Sequence, residues 1–150
     1  MSGKSCCFFG NSKQLSYRER DNTFLLLREE IDKLVKAGYT EFVYSGNNDF
    51  ESVARIAVTM HRIRNSNITT KYIPSALRSA KPNDEIEQLH KTYDEIIIPD
   101  IPYTVSQRNR YIVDNSDYCC FYVKSFAGNA YVAMLYAEKI NKPLINLAGN

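Results

Sequence analysis

Short apolar runs alternate with amphipathic stretches of helical length along the whole chain. The apolar runs predict strands at residues 5–9, 41–44, 68–73, 93–98, 118–123 and 143–147. The stretches between them predict helices within residues 24–35, 53–63, 84–90, 106–115 and 130–137. This alternation is typical of βαβ units. We therefore expect an α/β fold with a doubly wound, mainly parallel sheet and helices on both faces, forming a single domain over residues 1–150.

The ends and inner faces of the helices follow from the same pattern. Asp21 or Asn22 is the predicted cap of the first helix, and Gly38 follows its last turn, where a left-handed residue is usual. Asn48 or Asp49 is the predicted cap of the second helix. That helix is expected to bury an apolar stripe made of Val53, Ile56, Ala57, Met60 and Ile63.

The composition is that of an ordinary globular chain, with 44% hydrophobic and 24% charged residues. It disfavours the disordered and collagenous classes, and no apolar run approaches the length of a membrane span. Nineteen basic and seventeen acidic side chains give a formal charge of +2, so nucleic acid is not an expected partner. The first residues lack the apolar stretch of a signal peptide, and we expect a cytoplasmic protein.

The cysteines and histidines do not predict a metal or catalytic centre. The adjacent pairs Cys6–Cys7 and Cys119–Cys120 lie in predicted strands, where neighbours point to opposite faces, and are expected to be buried, reduced thiols. His61 and His90 have no partner at metal-ligand spacing. The chain also lacks a nucleophile elbow, a dinucleotide glycine motif and a P-loop.

Three predicted strands end in segments rich in glycine, asparagine and serine. Ligands of an open parallel sheet bind outside the carboxyl ends of its strands, and N–H groups that begin the following helices attract phosphate. With nearby arginines, these segments predict a site for an anionic, nucleotide-like ligand. The candidate ligand-binding residues are Phe9, Gly10, Asn11, Ser12, Ser45, Gly46, Asn47, Asp49, Arg108, Asn109, Arg110, Ser125, Phe126, Gly128 and Asn129.

Other interpretations remain open from the residues alone. Glycine, asparagine and serine are also what any turn between a strand and a helix needs. Asp49, Asp114 and Asp117 are the acids closest to the predicted crevice and are candidate general bases. A cluster of cations is either a solvated helix surface or a contact for a polyanion, and consists of Arg55, Arg62, Arg64, Lys71, Arg78 and Lys81.

The segment Cys-Phe-Phe-Gly-Asn-Ser at residues 7–12 resembles the opening of the SLOG superfamily, in its YpsA-like branch. The resemblance continues at residues 37–40, 108–118 and 142–147 and covers nearly the whole chain. Its most specific part is Arg-Asn-Arg-Tyr-Ile-Val-Asp-Asn-Ser-Asp at residues 108–117. The resemblance implies a Rossmann-like domain for nucleotide-derived ligands such as NAD or ADP-ribose derivatives. It places the ligand corner at Gly10, Gly46 and residues 108–110 and 125–129.

Two departures from the family bear on function. Family members usually have His-Arg where this chain has Asn11 and Ser12, so a cation near the phosphate position has been lost. The phosphoribohydrolase relatives carry a glutamate in a Pro-Gly-Gly-x-Gly-Thr-x-x-Glu loop, whereas here the first acid beyond the loop is Glu138, deep in a helix. We therefore expect a sensor or a sequestering sink that needs no cofactor and no catalytic residue.

The alternative is a nucleotide-processing hydrolase of the LOG type, acting on an N-glycosidic or phosphate bond. Because superfamily relatives commonly pair, and a small open sheet leaves edges or helices to cover, we also expect a homodimer or a higher homo-oligomer.

Overall fold

The computed structural model describes residues 3–11, 14–46, 48–74, 83–98 and 104–149. Ser12, Asn47, Arg78 and Lys81 of the sequence predictions lie outside these ranges. The strands are β1 (Lys4–Gly10), β2 (Tyr39–Tyr44), β3 (Thr69–Tyr72), β4 (Glu95–Ile96), β5 (Tyr118–Tyr122) and β6 (Leu144–Asn146). The helices are α1 (Tyr17–Lys36), α2 (Asp49–Arg62), α3 (Asn83–Thr92), α4 (Val105–Asp114) and α5 (Asn129–Lys139).

The strands form one parallel sheet in the order β4-β3-β2-β1-β5-β6. The chain moves outward from β1 to β4 and then returns to place β5 on the other side of β1. Phe9 of β1 is in register with Phe121 of β5 at this junction. Ligands of such sheets bind at the point where the strand order reverses, so we expect a ligand at the carboxyl ends of β1 and β5.

Successive side chains of a strand point to opposite faces of the sheet, so an apolar strand gives the sheet two apolar faces. Helices cover both of them. Cys6 and Phe8 pack in one core with α1 and α2, whereas Cys7 and Phe9 pack in the other with α4 and α5. The doubly wound α/β architecture and the single domain predicted from the sequence are thereby confirmed.

The four cysteines are buried and free, as expected. The members of each adjacent pair lie in different cores. Burial raises the pKa of the thiols of Cys6, Cys7 and Cys120 well above its ordinary value, so they remain protonated. Among the described residues, no group of three or more histidine, cysteine or acidic side chains is arranged to hold a metal ion.

Helix α1 begins at Tyr17, five residues before the latest cap suggested by the pattern, and the prediction of Asp21 or Asn22 was wrong. Ser16 Oγ accepts from Glu19 N at 3.1 Å, and Glu19 Oε1 accepts from Ser16 N at 3.1 Å. This reciprocal capping box starts the helix about two turns ahead of Phe24, where the apolar pattern begins. Gly38 has φ 96° beyond the last turn, as expected.

Helix α2 is capped by Asn48, as predicted, but its buried stripe was partly wrong. Val53 and Ala57 are buried, whereas Ile56 and Met60 are exposed and Ile63 is 83% exposed. The buried positions also include Phe50, Ala54 and Val58. Apolar residues occupy two sides of this helix, and the contact of Phe50 with β1 decides which side faces the sheet. Within the described ranges, no helix combines the length and apolar character needed to cross a bilayer.

Candidate ligand-binding site

Asn11 connects the loop after β1 to the loop after β5. Its Nδ2 donates to Ser125 O at 3.1 Å, to Ser125 Oγ at 2.9 Å and to Ala127 O at 3.4 Å. Its Oδ1 accepts from Lys124 N at 3.0 Å, and its backbone N–H donates to Tyr122 O at 3.1 Å. The amide nitrogen and the amide oxygen of Asn11 are therefore both hydrogen-bonded within the protein. The side chain fixes the two loops that border the switch point.

Helix α5 begins at this edge without a side-chain cap. Ser16, Asn48 and Thr104 cap α1, α2 and α4, but among the described side chains none caps α5. Its N-cap residue is Gly128, with φ 93°, a backbone conformation that favours glycine. The first N–H groups of a helix, together with its dipole, attract an anion when no side chain occupies them.

The loop before α5 also exposes an aromatic ring. Phe126 is 90% exposed, and its ring makes an edge contact with Tyr131, with 5.8 Å between the ring centroids. Ser125, Gly128 and Asn129 are exposed beside it. The structure thus brings four of the predicted residues together in one loop at the switch point.

The segment after β2 is organised around Glu51 rather than left open for a ligand. The buried carboxyl group of Glu51 accepts from Ser45 N at 2.7 Å and from Gly46 N at 3.1 Å. It also accepts from Ser45 Oγ at 3.1 Å and from Asn48 Nδ2 at 2.9 Å. The expectation that the N–H groups of Ser45 and Gly46 face a ligand is corrected, because an internal carboxyl group occupies them.

Burial raises the pKa of Glu51, while the Ser45 and Gly46 N–H donors, the Ser45 hydroxyl and nearby Arg108 oppose that shift. Sequence reasoning did not single out Glu51. The signal was present, because Asn48-x-x-Glu51 has the spacing of a capping box, and Glu51 N donates to Asn48 Oδ1 at 2.9 Å.

The Arg-Asn-Arg segment is divided between the interior and the surface. Arg108 is 8% exposed, and its Nη1 donates to Ser45 O at 2.7 Å and to Ile73 O at 3.4 Å, which joins the ends of β2 and β3. Its Nε donates to Asn109 Oδ1 at 2.8 Å. Arg110 instead lies over the ring of Tyr136, 5.3 Å from its centroid. The structure therefore does not bring the two arginines together as one anion-binding pair.

Two residues at the end of β1 have packing roles. Phe9 is buried and stacks on Phe121 with 5.5 Å between the ring centroids, which corrects the expectation that it binds a ligand. A Cβ atom on Gly10 would lie 2.7 Å from the Cβ of Phe50, so glycine allows the close approach of α2. Gly10 O accepts from Asn48 Nδ2 at 3.2 Å.

A cleft of about 540 Å³ lies beside the start of α1. Its described lining residues are Gln14, Leu15, Ser16, Tyr17, Glu19 and Arg20. Tyr17 is 89% exposed. Asp49 borders the same region, since it accepts from Leu15 N at 2.7 Å and pairs with Arg20 at 3.1 Å. The Leu15 N–H and the Arg20 guanidinium hold the pKa of Asp49 below its ordinary value, against some desolvation.

An ion pair between Lys124 and Glu19 connects this cleft to the loop after β5. The Lys124 ammonium and the Ser16 donors lower the pKa of Glu19 to about 2. Sequence reasoning missed Glu19, Arg20 and Lys124 as neighbours of the crevice. The Ser16-x-x-Glu19 spacing indicates where α1 starts and could have placed the two α1 residues.

The acids at residues 114 and 117 lie away from the crevice, and the expectation that they are among its nearest acids was wrong. Asp117 Oδ2 accepts from Ser5 N at 2.8 Å, at the beginning of β1 and therefore at the opposite edge of the sheet. Asp114 Oδ1 accepts from Tyr136 Oη at 2.6 Å, at the end of α4. Neither carboxylate is placed to act at the switch point.

The described members of the predicted cationic cluster are largely engaged with neighbours. Lys71 pairs with Glu41 at 2.6 Å, and Arg62 pairs with Asp94 at 3.1 Å. Arg55 lies over the ring of Tyr93, 5.9 Å from its centroid. These contacts favour the solvated-surface interpretation over a polyanion contact.

No family model and no curated protein matches the chain. Solved structures match it over nearly its whole length. The X-ray structure of TM1055 has a TM-score of 0.60 and 17% identity, covering 94% of this chain and 72% of that one. The molybdenum cofactor binding protein from the phototrophic bacterium Rippkaea orientalis has a TM-score of 0.63 and 16% identity, covering 97% and 77%. At this identity the likeness concerns architecture, and the chain has the Rossmann-like α/β fold that these two proteins share.

Proposed function

We propose that the chain binds a small, phosphate-bearing, nucleotide-derived ligand at the β1–β5 switch point, and does so without turnover. The observation that carries this proposal is the uncapped start of α5 at Gly128, at the edge where ligands of this fold bind. A ligand phosphate would accept from the first N–H groups of α5.

The remainder of the ligand would lie along the exposed edge beside this helix start. Phe126 offers a ring on which a base can stack, and the cleft beside Tyr17 offers room for a second sugar or phosphate group. ADP-ribose, NAD and cyclic nucleotides fit this description. One structural neighbour is a molybdenum cofactor binding protein, which agrees with a small-molecule role for this fold.

Binding without turnover is supported by the state of the nearby acids. Glu19 is held by Ser16 N and Lys124, and Asp49 is held by Leu15 N and Arg20. Both pKa values lie below the ordinary range, so the two carboxylates are weaker general bases than an ordinary acid residue as well as poor proton donors near neutral pH. We assign the chain to the YpsA-like branch as part of the same proposal, as a sensor or a sequestering sink of a nucleotide signal.

Isothermal titration calorimetry tests the proposal with ADP-ribose, NAD, cyclic ADP-ribose isomers and cyclic dinucleotides. Saturable binding of at least one compound is the expected result, and failure to bind any of them would sink the proposal. Chromatography of the same mixtures after incubation separates binding from hydrolysis. Turnover that disappears in Asp49→Ala would establish the LOG-type hydrolase in place of a sensor or sink.

A further inference from the structure

Lys124 is a basic side chain at the edge of the proposed site. It follows β5, and its backbone N–H donates to Asn11 Oδ1 at 3.0 Å. Nδ2 of the same asparagine reaches the carbonyl of Ala127, the residue before Gly128, at 3.4 Å. The side chain of Asn11 therefore holds the backbone of Lys124 close to the loop that precedes α5. A flexible four-carbon stem can cover that distance.

The partner that holds the Lys124 ammonium is easily exchanged. Lys124 pairs with Glu19 Oε2, and both side chains are partly exposed, where ion pairs contribute little stability. Glu19 uses its other oxygen, Oε1, to accept from Ser16 N at 3.1 Å. The pair can therefore open while the capping box of α1 stays in place.

Arg20 is a second cation beside the cleft, and it pairs with Asp49 at 3.1 Å. It belongs to the first turn of α1, whereas Lys124 follows β5 and precedes Gly128 by four residues. Lys124 is therefore the cation nearer along the chain to the start of α5.

We infer that Lys124 distinguishes phosphorylated from unphosphorylated ligands, by leaving Glu19 for a ligand phosphate seated at the start of α5. The inference rests on the proposed function and deepens it by naming Lys124 as the residue that selects a phosphate-bearing ligand over a nucleoside. A phosphate offers the ammonium more charge and more acceptor oxygens than a carboxylate does. Glu19 remains as a competitor that only a sufficiently anionic ligand displaces.

Calorimetry of four proteins with ADP-ribose, AMP and adenosine tests the exchange. The variants are Lys124→Ala, Glu19→Gln and Lys33→Ala, compared with the unmodified chain. Glutamine preserves the capping box but removes the charge that competes for Lys124. Lys33 is exposed near the far end of α1 and gives a matched loss of one positive charge.

We expect Lys124→Ala to weaken the binding of ADP-ribose and AMP about tenfold, and to leave adenosine within about twofold. Glu19→Gln is expected to tighten the two phosphorylated probes by about two- to fivefold, and Lys33→Ala to change nothing. If the unmodified chain binds ADP-ribose or AMP and Lys124→Ala binds them equally well, the inference is overturned while the proposed function stands. If the unmodified chain binds none of the nucleotide panel, both fall together.

Discussion

Asn11 and Lys124 are joined across the switch point, where Asn11 Oδ1 accepts from Lys124 N at 3.0 Å. Together with the bonds of Asn11 Nδ2 to Ser125 and Ala127, this contact fixes the loop that leads into α5. The side chain of Asn11 therefore shapes the loop, and Lys124 at the start of that loop lies beside it.

Replacing Asn11 with alanine should loosen the loop after β5 more than it destabilises the domain. The change removes hydrogen bonds that lie near the surface, so we expect a loss of about 1 kcal/mol in the free energy of unfolding. Ligand affinity should fall by a larger factor, because the start of α5 loses its fixed position. Urea denaturation and calorimetry measure the two effects. A variant with reduced stability and unchanged affinity would contradict the role of Asn11 in shaping the site.

Glu51 should give the stability of the domain a specific pH dependence. Burial raises its folded-state pKa, so its contribution is fully present below the unfolded value of about 4.3 and is lost as pH rises through the folded value. Glu51→Gln removes this titration, and its stability should therefore change less than that of the unmodified chain from about pH 4 upward. Denaturant unfolding at a series of pH values checks the difference. Parallel curves for the two proteins would be incompatible with this assignment.

Glu51→Ala should be far more damaging than Glu51→Gln. It leaves the N–H groups of Ser45 and Gly46 without their acceptor, and each buried donor left unpaired costs about 1–3 kcal/mol. Equal stability of the two variants would show that this carboxyl group does not organise the segment after β2.

The pKa of Glu19 should report on the partner of Lys124. The Lys124 ammonium lowers it to about 2, so the ion pair is complete above the unfolded value of about 4.3 and is lost as pH falls through about 2. Carboxyl NMR titration should show this pKa moving upward in Lys124→Ala. Saturation with ADP-ribose should move it upward as well if the ammonium leaves for phosphate. A pKa that stays unchanged in both cases would contradict the ion pair.

The exposed stripe of α2 should take part in the expected self-association. Ile56, Met60 and Ile63 lie on its outer side, and Arg28 and Asp32 of α1 lie beside the stripe. A two-fold interface can pair such opposite charges between copies. We expect sedimentation velocity to show a dimer that Ile63→Lys dissociates, whereas Ile140→Lys, at the end of α5, leaves it intact. A monomer at all concentrations would remove this expectation.

The sequence was most informative where burial alone decides the pattern. Leu27, Ile31 and Leu34 have helical spacing in the sequence and face the core, and the paired cysteines divide between the two cores. The sequence was less informative where a helix has two apolar sides. In α2, either the side with Phe50 or the side with Ile63 could face the sheet, and the packing of Phe50 against β1 determines which one does.

At the candidate site, the residue types do not determine the roles of the individual side chains. Arg108 and Arg110 are adjacent in the same segment, yet only the packing of α4 determines that one is buried and the other lies over Tyr136. Similarly, the donors of Ser45 and Gly46 look available in the sequence, and only the fold brings Glu51 onto them. Hydrogen-bond partners distant along the chain are a tertiary property that local patterns do not contain.

The calorimetric affinity for ADP-ribose of Asn129→Asp, with Asn22→Asp as its control, probes the proposed phosphate site at the start of α5. A carboxylate in the first turn of α5 favours the helix dipole, so the variant should be as stable as the unmodified chain or up to about 1 kcal/mol more stable. The same charge should repel a phosphate at this helix start and weaken binding about fivefold or more. Asn22→Asp makes the same change on the exposed side of α1 and should bind normally. Undiminished affinity in Asn129→Asp would contradict a phosphate site at the start of α5.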